Sequence, residues 1–442
     1  VNANDVLELV RDRLLPLYDE ERERLDKIDR WYRFEPEAIK LPKGATEENK
    51  YLAELSRTPW LALVVTTVAQ MLYGESVYSS REGFDAKAVW DPWQRNNMSS
   101  KQIAIHRAAL AYGLSYTSVL PGDRGAVVRG ISPRDMLAVY GDVTEDEYPM
   151  FGLRVTKQKG GRHLRLLDEE RIYYLWQGDG ERIQFIEDRV HGMGVCPIVR
   201  YANQLDLEGR APGEVEPLIP LAARINKTDY DRMLAQHYNS WKVRYATNLE
   251  EPPTSEEAER IKLKLRQSDI LTGEGETQFG TLDETPLEGF IQAHDSDLEA
   301  LGAASQTPVT AFGKLINVSA EGLLEARTSL YARRDERQML FGDSHTATLR
   351  LAAHAEGRAE DADDFEMTLK WADTEARTLN QAVDALGKAA NMLGVPQEML
   401  WNKIPGVDLT EVESWREYRE EHPTPDDITA QALERQTRPV TE

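Results

Sequence analysis

The sequence predicts an α+β protein, mainly helical, with an antiparallel sheet set into it. Three observations carry that expectation. Apolar residues recur at helical spacing over residues 1–112 and again after residue 217. Between 114 and 200 the period falls to that of strands, with turn signals between short runs. The chain has 442 residues, of which 41% are hydrophobic and 29% charged, which suffices for a substantial core.

The first helix should be capped by Asn4 or Asp5 and carry Val6, Leu7, Val10 and Leu14. Pro16 has no N–H and should bend or break it, with the pattern resuming at Leu25, Ile28 and Tyr32. Pro59 opens a helix over 60–73, stopped by Gly74, whose nearly continuous apolar faces mark it as buried. Two more are expected over 85–97 and 101–112, where Trp90 and Trp93 read as core or subunit contacts. Strand-like runs follow at 115–120, 126–131, 137–140, 151–156, 164–167, 172–176 and 183–186. They read as one antiparallel sheet. The polar stretch 203–213 reads as a linker. Pro217 and Pro220 then allow a helix start but not a helix middle. A helix of ~25 residues from there to about Trp241 would be ~38 Å long. Pro252-Pro253 marks a break, 256–266 suits a short helix, and Gly273, Gly275 and Gly280 punctuate strand-like pieces. Further helices are expected over 288–304, 320–355, 378–392, 397–403 and 408–420. The segment 356–366, six acids around Arg358, reads as a solvated loop, and 423–442 as a mobile tail.

Charge and motifs exclude several functions. Lys and Arg number 53 against 76 Asp and Glu, a formal charge of −23. A protein that coats nucleic acid through phosphate contacts needs a basic excess instead. A protein that lets DNA pass without gripping it stays open. The single Cys196 excludes an intrachain disulfide framework and a Cys-based zinc module. In a reducing compartment the sequons at Asn97, Asn226 and Asn317 are chance matches. No apolar run approaches the ~20 residues of a spanning helix, and no secretory signal is expected. Gly313-Lys314 lacks P-loop spacing, and Leu315 stands where the hydroxyl belongs. Gly273-Glu274-Gly275 lacks a strand-to-helix turn. No His pair at i, i+4 encloses a Glu, and no Gly-x-Ser-x-Gly elbow occurs. His294, Asp295 and Asp297 suit a metal-dependent nuclease in principle, but read more simply as a capped, solvated helix start. No catalytic residue, cofactor-binding residue or metal ligand is therefore assigned.

Several short segments, taken in order, resemble bacteriophage portal proteins of phages with long non-contractile tails. Ser132-Pro133-Arg134-Asp135 and Val139-Tyr140-Gly141-Asp142 resemble a wing-sheet segment of that family. Glu216-Pro217-Leu218-Ile219-Pro220-Leu221 and Ile225-Asn226-Lys227-Thr228 resemble the start of its first stem helix. Trp241-Lys242-Val243-Arg244-Tyr245-Ala246-Thr247 resembles the exit into the clip. Asn317-Val318-Ser319-Ala320-Glu321-Gly322-Leu323 resembles the stretch after the tunnel loop. Trp371-Ala372-Asp373 and Gly394-Val395-Pro396 resemble its late helices. The resemblance implies a portal fold: wing over 1–213, first stem helix 214–241 and clip 242–287. The second stem helix would be 288–305, the tunnel loop 306–319, the helix returning through the wing 320–370, and the crown with its tail 371–442.

The same resemblance implies a homo-oligomeric ring, commonly of twelve copies, at one capsid vertex of the virion, assembled in the host cytoplasm. The ring would be the channel for genome packaging and ejection, docking the terminase large subunit and then a head–tail connector protein. Major capsid and scaffolding proteins and non-specifically passing double-stranded DNA complete the implied partners, with no membrane and no cofactor. Val309, Phe312, Lys314, Leu315 and Ile316 become channel candidates, although packing between neighbouring loops is favoured for the four apolar ones. Glu256, Glu257, Arg260, Lys262 and Lys264 become candidates for docking partners at the clip. Arg327, Arg333, Arg334 and Arg337 become candidates for pairing with a neighbouring subunit, with solvation or pairing within the chain equally open. A virion adaptor or scaffold without a channel is the other alternative beside the nuclease.

Overall fold

A computed structural model of the chain describes residues 2–36, 39–41, 43–178, 180, 182–239, 244–247, 278–281, 285–313, 320–372, 374, 379–404, 407 and 409–422. The chain divides into two compact units, Val1–Trp371 and Ala372–Glu442. The first opens with α1 (Ala3–Leu9), a π-helical turn (Val10–Leu14) and α2 (Leu15–Tyr32). Asn2 caps α1 in a capping box closed by Asp5, slightly earlier than expected. Pro16 does not end the helix. The preceding turn widens so that the Leu15 N–H bonds the Val10 carbonyl, and Pro16 then falls in the first turn of α2, where an N–H is dispensable.

α3 (Glu47–Leu55), α4 (Trp60–Ala69), β1 (Gly74–Tyr78), α5 (Ala86–Arg95) and α6 (Met98–Tyr112) follow. α4 buries Leu61, Val64, Val65 and Val68, each worth roughly 1.5–3 kcal/mol of transfer free energy. Trp93 is buried and stacks on Trp90 at 4.4 Å between centroids, so both belong to the chain's own core. Gly113, at φ +97°, ends α6 where a Cβ would lie 2.0 Å from the Ala211 carbonyl.

The strands form two sheets where one was expected. β2 (Leu114–Leu120) is the centre of a three-stranded sheet, with β3 (Val127–Ile131) and β9 (Ile198–Ala202) as its edges. β4 (Met136–Val139), β5 (Phe151–Gln158), β6 (Gly161–Leu167), β7 (Arg171–Gly178) and β8 (Ile183–Val190) form an antiparallel meander. The difference lies in burial. β2 is buried along nearly its whole length, as a central strand covered on both faces must be. On β5, β6 and β7, by contrast, buried Leu153, Val155, Leu164, Leu166, Tyr173 and Leu175 pack under Val6, Val10, Leu14 and Tyr18.

The remainder of the first unit is α7 (Ile219–Asn239), β10 (Arg244–Thr247), β11 (Gln278–Thr281), α8 (Glu288–Ala304), α9 (Ala320–Ala355), α10 (Ala359–Ala362) and β12 (Thr368–Trp371). β12 pairs antiparallel with β1, Leu369 opposite Val77. Trp371 therefore ends a strand and does not enter a late helix. The acidic segment 356–366 is not a solvated loop. Glu356 accepts from the Ala126 N–H and pairs with Arg95 and Arg358. Asp361 pairs with Arg81 and Arg358, and buried Asp364 with Arg81 at 3.2 Å. Three guanidiniums offset the local acid excess and hold it against α5 and the end of β1. The second unit carries α11 (Leu379–Leu393), short 3₁₀ turns at Gln397–Met399 and Trp401–Lys403, and α12 (Leu409–Glu421), where Trp415 meets Trp401 edge to face.

A run of polar side chains crosses the centre of the main core. His106 Nδ1 lies 3.2 Å from the Leu72 carbonyl, so it must donate. His106 Nε2 is then an acceptor, and His345 Nε2, at 2.7 Å, donates to it. His345 Nδ1 in turn accepts from the Tyr201 hydroxyl at 3.0 Å. Tyr201 meets Thr348 at 2.8 Å, and Thr348 meets Thr117 at 2.9 Å. One proton arrangement satisfies the two rings, and both are neutral in it. Burial pushes His106 down to about 3 and His345 well below its ordinary value.

Candidate functional site

α7 and α8 lie side by side and antiparallel. Arg224 on α7 pairs with Asp297 on α8 at 2.8 Å. His294 Nε2 stands 3.6 Å from buried Asp229, whose carboxyl is raised by burial. At the far end the Asn239 amide donates to the Thr285 carbonyl at 2.8 Å and accepts from its N–H at 3.1 Å. The ladder β10–β11, Arg244 opposite Thr281, continues beyond that end. At the near end Ala222, Ile225, Leu298 and Leu301 enter the main core. The 21 residues of α7 make a rod ~32 Å long.

The chain after α8 folds back tightly. Ser305 Oγ donates to the Leu301 carbonyl at 2.6 Å, and the Thr307 N–H to that of Gly302 at 2.9 Å. A Cβ on Gly302 would lie 2.9 Å from Val309 and 3.0 Å from the Thr307 carbonyl, so only glycine lets the turn close without a shift. Phe312 is buried, its ring 5.8 Å from that of Trp60.

Two arginines of α9 tie both roots of the hairpin together. Arg333 and Arg337, one helical turn apart, share the carboxylate of Glu214 at 3.0 and 3.1 Å. Glu214 stands just ahead of α7. Arg333 also donates to the Ser305 carbonyl at the end of α8. Arg337 Nε donates to Asn203 Oδ1 at 2.8 Å. Arg333 is 5% and Arg337 1% exposed, which decides what they can touch. Their partners lie within the chain, the alternative that the sequence left open. Arg334 lies over the Tyr331 ring at 4.8 Å, while Arg327 is exposed. The four arginines do not share a face, because six residues separate Arg327 from Arg333 and the helix turns 100° per residue.

The other expected site residues fare differently. Phe312 is turned into the chain's own core and lines no bore, because Trp60 and the α8 root enclose it. Val309 is half-buried against Gly302. Lys314, Leu315, Ile316, Glu256, Glu257, Arg260, Lys262 and Lys264 lie outside the described residues. His294, Asp295 and Asp297 sit inside α8, not at a helix start, and Arg224 neutralises Asp297. Among the described residues no group of His, Cys, Asp and Glu could hold a metal ion, and no helix is long and apolar enough to cross a membrane. The sequon residue Asn226 is buried and accepts from the Thr58 N–H at 3.4 Å. Sequence reasoning missed Glu214 and Asn203, which lie in or beside the stretch read as a linker. That stretch is bound to the end of α6, with the Asn203 N–H on the Gly113 carbonyl and the Glu214 N–H on that of Leu110.

These elements define an α+β body with an antiparallel helix pair, α7 and α8, rooted in its main core. The sequence matches the family described as phage portal protein, SPP1 Gp6-like, over residues 11–423, and the chain belongs to that family. It is a structural protein of the virion, a subunit of a symmetric ring, and not an enzyme. Among solved structures, the chain is similar to one from the neck of an empty gene transfer agent particle computed with C6 symmetry. That likeness has a TM-score of 0.50 at 12% identity, covering 81% of this chain and 92% of the other. It is also similar to a chain from the virion of a native gene transfer agent particle, with a TM-score of 0.46 at 12% identity, covering 81% and 96%. No curated protein matches the sequence.

Proposed function

We propose that copies of this chain, twelve in the usual portal stoichiometry, close around double-stranded DNA at one capsid vertex and form the channel for packaging and ejection. The α7–α8 pair is the stem, residues 242–287 with the β10–β11 ladder the clip, 306–319 the tunnel loop, and the second unit the crown. One observation carries this reading: a core-rooted antiparallel helix pair whose far end continues into a β ladder, Arg244–Thr247 against Gln278–Thr281. The division at Trp371 supports the crown boundary. The clip takes the terminase large subunit first and the head–tail connector later, with Glu256, Glu257, Arg260, Lys262 and Lys264 as docking charges. The shell around the ring is built by the major capsid and scaffolding proteins. Twelve copies at −23 give 12 × (−23) = −276 formal charges, so the wall repels phosphate and DNA slides. Lys314 adds a ring of weak phosphate contacts. Negative-stain microscopy and mass photometry of the purified protein test the reading. Closed rings with an axial hole that passes a duplex are expected, and particles with no hole in any state would overturn it.

A further inference from the structure

The molecule carries 23 more acids than bases, yet one part of its surface gathers unneutralised cations. Lys101, Ala104, Ile105 and Ala108 of α6, Arg129, Gly130 and Ile131 of the edge strand β3, Ser132, and Arg154 of β5 line a cavity of about 410 Å³. No carboxylate lines it. Arg154 stands directly opposite Arg165 on β6. Like charges in that register repel. Burial, with Arg165 and Arg129 nearby, pulls the Arg154 guanidinium below its ordinary value. Its Nε is buried and has no hydrogen-bond partner. Asp135, an acid that acts on it, is engaged by Arg22 at 3.1 Å. Lys101 reaches only the Val128 carbonyl, at 3.4 Å. Arg154 is half-buried, Arg129 and Lys101 are exposed, and no carboxylate offsets the cost of the partly desolvated charge. The arrangement lacks an anion.

We propose that this cavity receives a Glu or Asp side chain from a second copy of this chain, as one of the contacts that close the ring. This rests on the portal reading. Two features favour a carboxylate over a DNA phosphate. The walls between the cations are apolar, Ala104, Ala108, Ile105 and Ile131, and match the methylene stem of an acidic side chain. A cluster of guanidiniums repeated round a ring and gripping phosphate would also brake a sliding duplex. Ring closure, by contrast, needs one patch to meet a different patch next door, and neighbours at −23 each need cations where they touch.

The test uses the full chain with Arg129→Gln/Arg154→Gln and Arg129→Glu/Arg154→Glu, read by mass photometry, negative stain and thermal unfolding of the monomer. The neutral variant is expected to unfold at the wild-type temperature or above, since repulsion is relieved, while its fraction of closed rings falls at least tenfold. The charge-reversed variant should fall further. Rings at the wild-type level in both variants overturn the inference. So does ring loss accompanied by a lower unfolding temperature in the neutral variant, because the cations then serve the fold. Intact variant rings with weakened duplex DNA binding in a gel shift overturn it in favour of phosphate. A wild type that never forms rings brings down the portal reading itself, and this inference with it.

Discussion

At the scale of single residues, the neutral histidine pair sets how the core answers to acid. His106 has a folded-state value of about 3 against 6.5 when unfolded, so the unfolded chain binds the extra proton. The stabilisation is complete above 6.5 and is lost as pH falls toward 3; near pH 5.5 His106 alone costs about 1.4 kcal/mol. His345 acts in the same direction. Urea unfolding should show falling stability from about pH 7.5 to 5, and a His106→Leu/His345→Leu variant should show a shallower fall. Equal slopes in the two proteins would refute the neutral pair. Tyr201 tests the proton order separately. Its hydroxyl is the donor to His345 Nδ1, so Tyr201→Phe strands a buried acceptor and should cost roughly 1–3 kcal/mol at neutral pH. A loss below about 0.5 kcal/mol would reverse the assigned order. None of this was legible in the sequence, because His106 and His345 are 239 positions apart and each alone looks like an isolated core histidine.

At the scale of elements, local signals gave most of the boundaries and long-range pairing gave the errors. Helices over 288–304 and 320–355 are where the periodicity put them, because Ser305 and the acidic opening at Glu321 mark ends within a few residues of sequence. The seven expected strands all exist, but they divide into two sheets between β3 and β4, and β2 takes as its second partner β9, some 80 residues further along the chain. The β1–β12 ladder spans still more chain and left no local trace. The arginines of α9 fall between these cases. Their spacing was visible, their partner Glu214 was not. Glu214→Gln leaves Arg333 and Arg337 buried without their carboxylate and should cost roughly 3–5 kcal/mol. Amide exchange over 305–313 should rise with it, since Arg333 no longer anchors the Ser305 carbonyl. By contrast Asp384→Asn, which breaks the exposed pair with Lys388, should stay within about 1 kcal/mol of wild type. Equal costs for the two variants would show that the hairpin roots do not depend on α9.

At the scale of the whole molecule, the first unit closes on itself through its last strand. The main core draws on α2, α4, α5, α6, the β2 sheet, α7, α8 and α9, which are spread over more than 300 residues of chain. The final pieces to join are Met367, at 5% exposure, and Trp371, packed against Gly342, while Leu369, at 4%, is buried over Gly74 of β1. Contacts along the chain then thin, and the second unit begins at Ala372. The place where the chain is cut should therefore matter more than the length removed. A chain ending at Trp371 keeps β12 paired with β1 and should unfold cooperatively near the midpoint of the full protein. A chain ending at Glu366 is only five residues shorter but loses both buried side chains and the ladder. The side chains alone are worth about 3–6 kcal/mol, enough to lower the midpoint by several degrees. Thermal unfolding by circular dichroism compares the two directly. If both behave alike, β12 contributes nothing to closing the first unit, and the division at Trp371 marks no physical boundary.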